Sequence, residues 1–228
     1  MTVAVASNFS VTIDEIAAQF TTDTGHRVRL IPASTGKLHA QIVNGAPFDA
    51  FLAADRDRPQ RLEASGAAVP GTRFTYAIGE LVLWSRQLAD CRGALDDPGG
   101  MRIAIANPAT APYGAAAREF LQQAGLWDSV RPRLVMGESI SQALQFVASG
   151  NAQLGFIASS QLRAPSLPDA TCTWPVPTAL HAPIEQQAIL LQHGRDSDGA
   201  QRFLQFLRSD SGRVIIERHG YRLPELSK

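Results

Sequence analysis

The strongest constraint on this chain is an alternation between two hydrophobic periods. Apolar runs of strand length recur between stretches whose apolar residues fall at helical spacing, an order met by an open α/β sheet covered with helices. Residues 3–6 read as a strand, followed by Ile13, Ile16, Ala17 and Phe20 on one helical face, with Gly25 as the C-terminal glycine. A second strand over 28–31 leads to a helix carrying Leu38, Ile42 and Val43, closed by Asn44-Gly45. A third strand over 49–53 precedes a helix around Arg61-Leu62, with Asp55 placed as its cap and Gly66 near its end. Residues 74–84 form a long β-rich run that interrupts the series. The alternation then resumes, with strands expected over 102–105, 154–158 and 187–191 and helices over 115–124, 141–148, 200–207 and 212–218.

Composition narrows the function classes. Lys and Arg total 21, and Asp and Glu total 21, so no basic surplus is available to hold a nucleic acid or an anionic membrane. A charged ligand must therefore be recognised locally. No apolar stretch approaches the roughly 20 residues of a membrane-spanning helix. Residues 1–6 read directly as a strand, with no basic n-region, apolar h-region or cleavage site; this leaves either a cytosolic chain or one from which a signal peptide has been removed. Cys91 and Cys172 lack zinc-ligand spacing and are either separate thiols or a disulfide formed in an oxidising compartment.

Enzyme signatures break on inspection. Ser34-Thr35-Gly36-Lys37 has the end of a phosphate loop, but the upstream glycine is missing and Leu38 replaces the magnesium-binding Ser or Thr. Gly137-Glu138-Ser139-Ile140-Ser141 begins like a nucleophile elbow and ends in Ser where Gly is needed. The histidines show no metal-ligand pairing and read as surface or capping residues.

What survives is a set of strand-to-helix turns built from small hydroxylic, amide or Gly/Pro residues: Ala6-Ser7-Asn8-Phe9, Ala33-Ser34-Thr35-Gly36, residues 107–114 and residues 137–141. Ligands of open α/β sheets bind beyond the carboxyl ends of the strands, where such turns collect. A helix N-terminus offers unpaired N–H groups and a partial positive charge, so several together form an anion site without Lys or Arg. Singly, Ser7, Thr35 and Ser139 are better read as helix caps, and it is the four turns together that point to an anion site.

The same stretches carry a family resemblance. Ala6-Ser7-Asn8-Phe9, Asn44-Gly45-Ala46-Pro47-Phe48-Asp49, Phe51-Leu52-Ala53-Ala54-Asp55, Phe74-Thr75-Tyr76-Ala77-Ile78-Gly79, Leu81-Val82-Leu83-Trp84-Ser85, Ala111-Pro112-Tyr113-Gly114, Leu154-Gly155-Phe156-Ile157-Ala158 and Gly220-Tyr221-Arg222-Leu223-Pro224 resemble the periplasmic molybdate-binding proteins of bacterial ABC importers. The resemblance implies a two-lobed α/β fold of the periplasmic-binding-protein type II class, with a ligand cleft between lobes joined by two strand crossings. Lobe one would comprise residues 1–79 plus 188–228 and lobe two residues 80–187, with crossings near 78–80 and 186–188. Carried over by position, the oxyanion ligands fall on Ser7, Asn8, Thr35, Tyr113 and Ile140, with Asn8 and Ile140 acting through backbone N–H.

Thr35 stands where the family usually has Ser, and Ala158 stands where one branch has a ligand Tyr, so the phenol donor must be Tyr113. Lys37 is expected to be solvated. The implied function is capture of molybdate or tungstate, with no catalysis, no cofactor and no cation ligands. The implied partners are the oxyanion and the permease subunits of an importer, for a periplasmic monomer that binds no nucleic acid. The alternatives are sulfate or another oxyanion, and a transferase on the same bilobed fold.

Overall fold

The computed structural model describes residues 1–97, 99–165 and 167–224; the last positions of the expected first lobe, 225–228, lie outside the described residues. In chain order the strands are β1 (Thr2–Ala6), β2 (Arg29–Ala33), β3 (Ala50–Ala53), β4 (Phe74–Gly79), β5 (Leu81–Ser85), β6 (Ile103–Ala106), β7 (Leu134–Gly137), β8 (Leu154–Ala158), β9 (Cys172–Pro175) and β10 (Ile184–Leu190). The helices are α1 (Ser10–Thr24), α2 (Thr35–Val43), α3 (Asp57–Ala64), α4 (Pro112–Gln123), α5 (Trp127–Val130), α6 (Ile140–Ala148), α7 (Asp198–Arg208) and α8 (Asp210–Arg218). The chain divides into two units: Met1–Gly79 together with the chain from Glu185 onward, and Glu80–Ile184.

The first unit is built on a five-stranded sheet in the order β2-β1-β3-β10-β4. β1 runs parallel to β2 and β3, while β10 runs antiparallel to β3. Period-2 alternation sorts its side chains onto two faces. Val3, Val5, Ala50, Leu52, Ala188 and Leu190 pack with residues of α1, α7 and α8. Ala4, Phe51, Ala53, Ile189 and Leu191 pack on the other face with Leu38, Ile42 and Leu62 of α2 and α3. Strands covered on both sides read as continuous apolar runs, which is why β1 and β3 were plain in the sequence. Gly25 adopts φ 74°, the left-handed conformation that ends α1. Asp55 accepts from the Arg58 N–H at 3.1 Å, so it serves the N-terminus of α3 as expected, from two residues ahead of the helix.

The second unit repeats the plan. Its sheet order is β7-β6-β8-β5-β9, with β6 parallel to β7 and β8, and β5 antiparallel to β8 and β9. Each unit therefore has three parallel strands whose connections run outward and back, giving a switch point beside the first of them. The long run over 74–84 is two strands. β4 ends at Gly79 in the first sheet, and β5 begins at Leu81 as an interior strand of the second, with Leu83 and Trp84 fully buried. The edge strands β7 and β9 escaped the sequence pattern because each is half-covered: Met136 is 57% exposed, and burial alternates along β9. Cys91 and Cys172 are joined in a disulfide with Cα atoms 5.7 Å apart, which decides between the two readings left open by the sequence. It anchors the segment after β5 to the edge strand β9, where Cys172 pairs with Ser85.

Candidate functional site

In the first unit, Ala6 and Ala33 are register partners, so the turns that follow β1 and β2 leave the sheet side by side. The first turn is a short 3-10 segment, Ser7–Phe9, that runs into α1; Ser7 is 8% exposed and Asn8 4%. The Asn8 side-chain nitrogen donates to Gln186 Oε1 at 2.8 Å and to the Tyr221 hydroxyl at 3.0 Å. An amide NH2 has two hydrogens, and both are thereby committed. The Asn8 side chain is thus engaged within its own unit.

Thr35 is the first residue of α2 and is 1% exposed. Its Oγ1 accepts from the Ala54 N–H at 3.1 Å, just beyond β3. A hydroxyl that accepts from the main chain keeps its own proton to donate elsewhere. Thr35 thus spans the switch point between β1 and β3 and is more than a helix cap. Lys37, two residues on, is exposed, as expected of a first-turn lysine. His39 on the same helix is held below its ordinary value by burial, then by the nearby Arg58 and Arg61 guanidinium groups, which favours its neutral form.

In the second unit, Ala106 and Gly137 are register partners, so the turns after β6 and β7 also emerge together. The Asn107 N–H donates to the Gly137 carbonyl at 2.7 Å, and the Asn107 carbonyl accepts from Thr110 and Ala111. Pro112 opens α4, a position where its missing N–H costs nothing. Tyr113 follows, 1% exposed. A Cβ on Gly114 would overlap the Ala106 carbonyl, so only glycine lets α4 start this close to β6. At the neighbouring turn Ser139 caps α6, its hydroxyl accepting from the Gln142 N–H at 3.3 Å. Ile140 is the first residue of α6 and is 3% exposed, and helix geometry gives its N–H no acceptor within the helix. Ala158 ends β8, fully buried and with no hydroxyl to offer.

The structure therefore groups Ser7, Asn8 and Thr35 at one sheet end of the first unit, and Tyr113 and Ile140 at one sheet end of the second. Sequence spacing missed three buried partners of the first turn, Tyr76, Gln186 and Tyr221. Asn8 and Tyr221 lie 213 residues apart, so no local pattern signals them. His181 and His219, expected as surface or capping residues, stand at the C-terminal caps of the Thr178–Leu180 3-10 turn and of α8 and are buried there, at 6% and 8% exposed; His219 Nε2 lies 2.8 Å from Glu15 Oε2. Among the described residues no group of His, Cys, Asp and Glu is arranged to hold a metal ion. The chemistry available at these turns is donation of neutral N–H and O–H groups to an acceptor-rich ligand.

Comparison with known proteins places the chain in a family. The chain is 45% identical to the molybdate-binding protein ModA of Azotobacter vinelandii, over 97% of this chain and 89% of that protein. It is 44% identical to ModA of Rhodobacter capsulatus, over 96% of this chain and 86% of that one. The solved structure of the Azotobacter vinelandii periplasmic molybdate-binding protein superposes with a TM-score of 0.92 at 40% identity, covering 99% of this chain and 100% of that one. The profile of the bacterial extracellular solute-binding proteins matches residues 1–222, and the chain belongs to that family.

Proposed function

We propose that this protein captures molybdate or tungstate and delivers it to the permease subunits of an ABC importer, as a periplasmic monomer with no resident cofactor. The observation that carries this reading is the donor set: four strand-to-helix turns present hydroxyl and main-chain N–H donors, with Thr35 held so that its proton remains to be given. The ModA relatives supply the identity of the anion. The protein is a carrier and not an enzyme, as its relatives are.

The ligand positions are Ser7, Asn8 and Thr35 from the first unit and Tyr113 and Ile140 from the second. Ser7, Thr35 and Tyr113 donate through hydroxyls, and Asn8 and Ile140 through main-chain N–H. Each hydrogen bond to a charged partner contributes about 1.5–3 kcal/mol, so a handful of neutral donors suffices for a dianion. Holding the charge with dipoles leaves no fixed counter-ion to slow its release. Sulfate is also a tetrahedral dianion, so selection rests on the size of a cavity framed by main chain, which side-chain donors alone could not supply.

Isothermal titration against molybdate, tungstate, sulfate and phosphate tests the reading. Molybdate and tungstate are expected to bind tightly and to raise the melting temperature by mass action, with little effect from sulfate or phosphate at equal concentration. Equal stabilisation by sulfate would replace the molybdate assignment with a general oxyanion carrier. Tyr113→Phe keeps the buried ring and removes one donor, so molybdate binding is expected to weaken about 10- to 150-fold. Unchanged affinity would remove Tyr113 from the site.

A further inference from the structure

Beneath the first turn lies a buried polar network beside the apolar core. Gln186 is fully buried, and Tyr76, Asn8 and Tyr221 are 3–4% exposed. Gln186 Oε1 accepts from Asn8 at 2.8 Å and from the Tyr76 hydroxyl at 3.1 Å. The Tyr76 oxygen also lies 3.2 Å from the Ala53 carbonyl, at the end of β3. The Tyr221 hydroxyl accepts from the Asn8 amide and returns its own proton to the Asn8 carbonyl at 2.9 Å, so one phenol grips a single residue by side chain and main chain together. Burial pushes the Tyr76 phenol well above its ordinary value of 10.0, so it stays a donor across the working pH range. Phe9, the next residue of the turn, lies edge-on to both phenol rings, with centroids 4.8 Å from Tyr76 and 5.2 Å from Tyr221. Tyr221 is itself fixed, because Arg222 exchanges main-chain hydrogen bonds of 2.8 and 3.1 Å with Ile78 of β4.

Buried polar side chains are costly unless satisfied, and an apolar cluster would fill this space with less risk. What the network adds is a fixed place for the Ser7-Asn8 main chain. We propose that Tyr221, Gln186 and Tyr76 are positioning residues for anion selectivity: by holding the Asn8 amide and carbonyl they hold the N–H donors of the first turn, and with them one wall of a size-selective cavity. The proposal rests on the oxyanion-binding reading above and extends it to residues far from the turns in sequence. Outer-shell partners of metal ligands typically shift affinity by 10- to 100-fold when removed, and a similar scale applies to a ligand set built from main-chain donors.

The test uses Tyr221→Phe, which retains the ring against Phe9, and Gln186→Met, which retains the length of the side chain. Both are titrated with molybdate and sulfate below their melting temperatures. Molybdate affinity is expected to fall about 10-fold or more in each, with a smaller loss in Tyr76→Phe, whose phenol does not touch Asn8. Because the smaller anion depends less on a fixed cavity wall, the molybdate-to-sulfate affinity ratio is expected to narrow. The double variant Tyr221→Phe with Gln186→Met is expected to lose less than the product of the single losses, since both hold one amide. Variants that melt earlier but bind molybdate as tightly and as selectively as the parent would show a purely structural network and overturn the proposal. Failure of the oxyanion-binding reading would appear in the parent itself, and a parent that binds none of the four oxyanions removes both.

Discussion

In the first unit the turn after β1 is held by hydrogen bonds among Asn8, Gln186, Tyr76 and Tyr221, whereas in the second unit the turn after β6 is held by the absence of a side chain at Gly114. The topologies match, with three parallel strands followed by an antiparallel one, yet the means of fixing a helix N-terminus against a strand end differ. A polar network is directional and draws in residues distant in sequence. Close approach is local and needs only that Cβ be missing, as at Gly137, where a Cβ would lie 2.8 Å from the Ala143 nitrogen. The second unit adds a covalent tie, Cys91–Cys172, and the first unit has no cysteine with which to form one. The same architecture thus tolerates two solutions to one geometric requirement.

The largest effect that separates the units should come from that tie. Replacing Cys91 and Cys172 by Ala opens a link spanning 81 residues, whose closure restricts the unfolded chain by on the order of 4 kcal/mol. Hydrogen exchange is expected to accelerate in β5, β8 and β9 well beyond any change in β1 and β3. An equal change in both sheets would mean that the two units unfold together and that the covalent tie is shared by the whole molecule.

Next in size is Gly114→Ala. Overlap with the Ala106 carbonyl forces α4 away from β6 and is expected to lower stability by about 1–3 kcal/mol. Molybdate affinity should fall with it, since Tyr113 precedes the displaced residue. If urea unfolding and titration both match the parent, close approach is not what seats α4, and the contrast between the units disappears.

The smallest effect lies in the first unit, where Glu63 accepts from the Arg73 guanidinium at 2.9 Å and from the Gly71 N–H at 2.8 Å. Arg73 first, and then the Gly71 N–H, hold the Glu63 carboxyl below its ordinary value of 4.5. A depressed carboxylate contributes its stability above the unfolded value and loses it as pH falls through the folded one. Urea midpoints are therefore expected to drop on acidification below about pH 4.5 more steeply in the parent than in Glu63→Gln. The neutral-pH cost of that variant should stay below about 1 kcal/mol, as for other partly exposed pairs. Parallel pH profiles would show that the pair adds nothing to the hydrogen-bonded character of this unit.

How much of this could be read from the sequence follows from the range of each interaction. Strands such as β1, β3 and β8 were legible because burial on both faces leaves an uninterrupted apolar run, and the four turns because small polar residues mark the ends of those runs. The edge strands were not, since half-exposed residues such as Met136 break the pattern. The disulfide was an open alternative until two distant cysteines were brought to a Cα separation of 5.7 Å. Thr35 stood out as a hydroxyl at a helix start, but its bond from Ala54 depends on β3 lying next to β1. Gln186 was legible only as part of an expected strand crossing and Tyr221 only as part of a family-like stretch; nothing in the sequence tied either to Asn8, because their importance comes from a meeting place and not from their neighbours in the chain.

The interrupted course of the first unit has a consequence for biosynthesis. β3 finds its antiparallel neighbour only when Gln187 to Leu190 have been made, pairing with Ala53 to Ala50, and that happens after the entire second unit has emerged. The second unit is continuous from Glu80 to Ile184 and can close its own sheet first. During that interval β3 presents an open, strongly apolar edge, the kind of surface that pairs with stray strands and engages chaperones. A long-range sheet of this kind also folds slowly, because its chain loop must close before any contact repays the cost. A lag in maturation of the first unit, and sensitivity of yield to the supply of chaperones, are thus written into the order in which the strands are synthesised.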